Sequence, residues 1–105
     1  MNPNLINQKA IDRWDVIRLL HSAGHVGAGQ RVIRMFLQER QQVYSQDDLK
    51  TLLQDLSNRG YCSIEVDADN LFHCKITPLG NDLHDYLVTC PSAIARPPKP
   101  VMPNA

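Results

Sequence analysis

At 105 residues, 43% of them apolar and 21% charged, the chain has the length and composition of one globular domain with its own core. No apolar run nears the roughly 20 residues of a membrane helix, and the start MNPNLINQK lacks the basic and apolar stretches of a secretory signal, so a cytoplasmic protein is expected. The formal net charge is zero but unevenly spread: residues 1–44 carry six bases against three acids, and residues 45–90 three bases against eight acids.

After an N-terminal extension of residues 1–6, the pattern predicts a first helix from about Asn7 to His21. Asn7 is suited to cap it, Ile6 and Ile11 have the spacing of a hydrophobic staple, and Ile11, Trp14, Val16, Ile17 and Leu20 form a broad apolar face. Ser22-Ala23-Gly24 stops it, and residues 25–29, with two glycines, form a loop. A second helix is predicted from about Gln30 to Gln41. Val32, Ile33, Phe36 and Leu37 turn inward, and Arg31, Arg34 and Gln38 share an outer stripe. Val43-Tyr44 is short enough to be only an edge strand.

The segment from Tyr44 to Ile76 carries the strongest local signals. Ser45 is a good N-cap, Asp47 and Asp48 lie in the first turn where the helix dipole favours negative charge, and Tyr44 and Leu49 have staple spacing. Leu49, Leu52, Leu53 and Leu56 share one stripe, and Gly60 is placed for a left-handed C′ position with Tyr61 packing back on Leu56. Two alternating runs follow, with Cys62, Ile64 and Val66 on one face, and Phe72, Cys74 and Ile76 likewise. Asp67-Ala68-Asp69-Asn70 turns between them. Thr77 caps and Pro78 begins a last helix, with Leu79, Leu83, Tyr86 and Leu87 inward, ended by Pro91. Residues 91–105 hold five prolines and no apolar period, which predicts an extended, largely disordered tail. Three helices, a hairpin and a closing helix over residues 7–90 make an α+β chain on the winged helix-turn-helix plan.

The run Ser45…Leu49…Leu52-Leu53…Leu56…Gly60-Tyr61, followed by Cys74-Lys75-Ile76-Thr77-Pro78-Leu79-Gly80…Leu83, resembles winged-helix proteins of bacteria and phages. With the early helix, the total length and the basic, proline-rich tail, the chain is similar to a group of small winged-helix proteins of Mu-like phages and prophages over about residues 10–99. That resemblance implies a DNA-binding or transcription-regulator-like role in the phage cycle, in the host cytoplasm, with no catalytic residues to carry over.

On this plan Gln46, Thr51 and Gln54 of the third helix are candidates to read base edges, and Lys50 to meet a phosphate or a guanine. Asp47, Asp48 and Asp55 on the same helix, and Asp67 and Asp69 at the wing tip, oppose a polyanion bearing about one charge per 1.7 Å of duplex axis. Arg31 and Arg34 form the better anion-seeking stripe, with Arg40, Arg96 and Lys99 as helpers. The partners expected are therefore double-stranded DNA, bound as a homodimer, or a phage or host protein held by the same scaffold through its acidic hairpin or its tail.

No metal, cofactor or enzymatic activity is expected. His21 and His25 are four apart but have no evident third ligand. Cys62, Cys74 and Cys90 lack metal-type spacing, suit a reducing compartment and resemble buried apolar thiols. No nucleophile–base set or carboxylate pair stands out.

Overall fold

A computed structural model describes residues 3–99, with side chains from Gln8 onward. Its elements run α1 (Pro3–Ala23), β1 (Ala28–Gly29), α2 (Gln30–Glu39), α3 (Gln46–Asn58), β2 (Cys62–Val66), β3 (Phe72–Ile76) and α4 (Pro78–His84). The result is an α+β fold of four α-helices and a three-stranded antiparallel sheet in the order β1-β3-β2. No helix among the described residues is long and apolar enough to cross a membrane.

The segment with the strongest sequence signals folds as its residues dictate. Ser45 Oγ accepts the Asp48 N–H at 3.0 Å, and Leu49, Leu52, Leu53 and Leu56 are all buried. At the other end Gly60 takes φ +87°, Tyr61 N–H reaches Leu56 O at 3.1 Å, and Gly60 N–H reaches Ser57 O at 2.9 Å. That pair of bonds closes the helix by satisfying carbonyls that have no partner within it. The hairpin pairs Cys62 with Ile76 and Val66 with Phe72. Its alternation holds at Cys62 and Cys74, which are buried, and fails at Val66, exposed where the ribbon runs past the helices. Thr77 Oγ1 accepts the Gly80 N–H at 3.1 Å, with Pro78 at the start of α4.

The third strand comes from an unexpected place. Val43-Tyr44 is not a strand; Ala28-Gly29, in the stretch predicted as loop, pairs with Cys74 and His73 on the free edge of β3. Glycine makes the approach possible. Gly27 takes φ +74°, and a Cβ there would collide with the Cys74 carbonyl oxygen.

Other boundaries differ for physical reasons. α1 begins at Pro3, so Asn7 lies inside it rather than at its N-cap position; the side chains of Asn7 and of Ile6, half of the predicted staple, lie outside the described residues. Trp14, Val16, Ile17 and Leu20 are buried as expected, but Ile11 is exposed. α2 stops at Glu39 because Gln41 takes a left-handed conformation. Val32, Leu79 and Leu87 face solvent rather than the core. Tyr86 is left-handed too, which ends α4 at His84 and throws Leu87 outward.

The proline-rich end is not an extended free tail over residues 91–99. Ile94 is only 3% exposed and joins the core with Trp14 and Leu83. The Ala95 N–H donates to Ala10 O at 3.0 Å, Arg13 Nη1 donates to Ala93 O at 3.0 Å, and Arg96 Nη1 donates to Leu83 O and Val88 O at 2.8 and 3.0 Å. This strap binds the end of the chain to α1 and α4. The part of the tail beyond Lys99 lies outside the described residues.

Candidate nucleic-acid interface

α3 and the hairpin share one surface. Between them lies a shallow concavity of about 500 Å³ lined by Lys50, Thr51, Gln54, Asp55, Asn58 and Phe72. Helical spacing puts Lys50, Thr51 and Gln54 on one side of α3, opposite the leucines that anchor it. A second concavity, of about 170 Å³, shares Thr51 and Asp55 with the first and extends the surface to Lys9, Arg13 and Tyr44.

Each predicted residue has a definite setting. Lys50 Nζ donates to Asn70 O at 2.7 Å and lies 5.2 Å from the centre of the Phe72 ring, bracing the helix against the turn. Thr51 Oγ1 donates to Asp47 O at 3.1 Å, and Gln54 Nε2 to Asn58 Oδ1 at 3.0 Å. These are weak, exposed, local bonds that water or a ligand replaces at little cost. Gln46 is committed internally. Its Oε1 accepts from Gln30 Nε2 at 2.5 Å, while Gln30 Oε1 accepts the Phe72 N–H at 3.0 Å. Gln30, only 1% exposed, thereby fastens α2, α3 and β3 together.

The arginine stripe of α2 does not act as a unit. Arg34 Nε donates to Tyr44 O at 2.8 Å and holds the connection between α2 and α3, whereas Arg31 is exposed. Neither lines the α3 concavities. Two other arginines stand at this surface instead. Asp55 Oδ2 lies 2.9 Å from Arg59 Nε, one helical turn on, and 3.1 Å from Arg13 Nε of α1. The first spacing, i to i+4 on one helix, is legible in sequence; the approach of Arg13 depends on how α1 packs.

The acids of the turn have structural work. Asp67 Oδ1 accepts the N–H groups of Asp69 and Leu71 at 2.8 and 3.0 Å, and Asn70 takes φ +60°. Asp67 therefore shapes the turn as an Asx residue does, while Glu65, Asp69 and Val66 remain exposed around it.

Buried polar chemistry lies behind the surface. Tyr44 donates its hydroxyl to Asp12 Oδ2 at 2.6 Å; burial and that bond to a carboxylate push the phenol well above its ordinary range. Burial also raises the Asp15 carboxyl, against the pull of Arg40 and Arg18. Cys62 and Cys74 are not directly opposite in the ladder but two rungs apart, with the Ser63–Lys75 pair between, and both are buried. The neighbouring Cys62 thiol and burial push the Cys74 thiol far up, which suits an inert core sulfur.

His25 is exposed and apart, while His21 at the end of α1 stacks on His84 at the end of α4, with ring centroids 3.6 Å apart, beside Asp85.

No protein-family model, curated protein or solved structure gives a significant match to this chain.

Proposed function

We propose that the chain is a non-enzymatic winged helix-turn-helix module of phage type that binds double-stranded DNA, with α3 in the major groove and the hairpin as its wing. The topology supports this reading: a short strand between α1 and α2 pairs with the second hairpin strand, and α3 leads directly into the hairpin. The observation that carries it is the gathering of Lys50, Thr51, Gln54 and Asn58 on one exposed α3 face. Arg13 and Arg59 offset Asp55 at its edge. Lys50 and Arg59 supply phosphate contacts, and the amide and hydroxyl groups suit base edges. A homodimer suits this role, because one such module buries a modest interface on DNA.

The test is a mobility-shift titration with random duplex at low and moderate salt. Binding that weakens steeply with salt is expected. Lys50→Glu is expected to weaken it about tenfold and lower the salt slope by about one. Arg31→Glu, on the separate α2 face, leaves it unchanged. A loss confined to Arg31→Glu moves the interface to α2, and no binding at low salt overturns the DNA reading.

A second reading is favoured by the exposed Glu65, Val66 and Asp69 of the wing. An acidic, partly apolar ribbon suits a basic protein partner better than a phosphate backbone. That interaction module is what remains if duplex does not bind.

A further inference from the structure

We infer that His21, His84 and Asp85 form a binding site for a divalent transition-metal ion of the zinc class. One ligand atom from each of the three lies within 4.8 Å of the others. Two imidazoles and one carboxylate, with water in the remaining positions, make an established donor set for such ions.

The surrounding groups orient the ligands. The Asn81 side-chain oxygen lies 2.9 Å from His21 Nδ1 and accepts its N–H, which leaves Nε2 as the ring's free lone pair. Ligating histidines are commonly oriented by such a partner. His84 Nδ1 and Asp85 Oδ1 are 2.9 Å apart. Two ligands bonded at about 2.1 Å and at right angles lie about 3 Å apart, so this pair already has the spacing of neighbours on one ion. A proton occupies the place between them in the metal-free protein. The ion takes that place, the ring's one proton passes to Nε2 so that a neutral imidazole ligates through Nδ1, and no electron is transferred.

One ring must move. The two face each other 11° from parallel, with lone pairs in separate planes, and one ion cannot lie in both. Turning the His21 ring alone about its bond to Cβ trades its stack for the ion and leaves the His84–Asp85 pair in place; both rings border a concavity of about 330 Å³, whose wall includes Arg18, Leu19, Phe36 and Arg40. The two arginines oppose a cation. Both lean on Asp15, at 3.6 and 3.9 Å, which takes up one of their two charges. Affinity is therefore weaker than that of a closed thiolate site.

Trp14 supplies the probe. It is the only tryptophan in the sequence, and its ring stacks on His84 at 5.7 Å between centroids. Full-length protein is titrated with Co²⁺ while visible absorption and Trp14 fluorescence are followed together. One equivalent is expected to produce ligand-field bands without a sulfur-to-cobalt charge-transfer band, to quench Trp14 with the same midpoint, and to be displaced by Zn²⁺. His21→Gln and, separately, Asp85→Asn are expected to raise that midpoint about tenfold or more, with circular dichroism showing the fold retained. Asp85 is exposed, so its variant keeps the test decisive if His21→Gln does not fold. An unquenched Trp14 at millimolar Co²⁺, a thiolate charge-transfer band, or a folded variant with the unchanged midpoint overturns the site.

Discussion

Tyr44 shows how a single hydroxyl ties a loop to a buried carboxyl group on α1. Asp12 is 1% exposed and receives the phenol on one oxygen and Gln8 Nε2, at 2.9 Å, on the other. Tyr44→Phe leaves the ring in place but removes one donor from a buried carboxyl group, at a cost of about 1–3 kcal/mol. Urea unfolding of both proteins at neutral pH measures it. The pH dependence has a definite sign. A phenol whose folded value is raised contributes stability that is fully present below its ordinary value and lost as pH climbs through the folded one. The gap between wild type and Tyr44→Phe is thus flat through neutral pH and narrows only in strong alkali. The apolar half of this residue was legible: staple spacing with Leu49 placed the ring, which does pack on the core. The polar half was not, because its partner lies 32 residues upstream with no local pattern to announce it. Gln30 and Arg13 were illegible for the same reason, whereas Lys50, Thr51 and Gln54 share a face through helical spacing alone.

α2, α3 and α4 all end on the same device, a left-handed residue that turns the next N–H back to a carbonyl five residues earlier. The turning residues are Gln41 at φ +64°, Gly60 at +87° and Tyr86 at +64°. The returning bonds are Gln42 N–H to Leu37 O, Tyr61 N–H to Leu56 O and Leu87 N–H to Asp82 O, at 2.9, 3.1 and 2.8 Å. Only the glycine marks its position in the sequence, which is why the pattern places the end of α3 and extends α2 two residues past its end at Glu39. Gln and Tyr adopt this conformation against the clash of Cβ with the backbone, and glycine escapes that cost. Gln41→Gly is accordingly expected to stabilise the protein by up to about 1 kcal/mol, after the greater freedom of glycine in the unfolded chain is set against the relief. A thermal melt beside wild type reads the difference. A lower melting temperature refutes it.

At the scale of the whole molecule, the strap of residues 91–99 closes the core that the helices and sheet leave open. Proline removes amide donors and hides periodicity, and one buried isoleucine in such a run leaves no pattern to find. Composition therefore pointed to disorder where a single anchor was enough. Ile94→Ala is expected to cost about 2–4 kcal/mol, a drop on the order of 10 °C or more in a domain of this size. Calorimetry on the full chain tests it, and a change under 1 °C would mean that the strap adds no stability. Arg13 is the point where this closure matters elsewhere. One of its nitrogens is held by the Ala93 carbonyl and another faces Asp55 on α3. Trimming the chain from its far end therefore unclamps a guanidinium at the candidate binding face, so a shortened form and the full-length protein present different electrostatic landscapes to the same duplex.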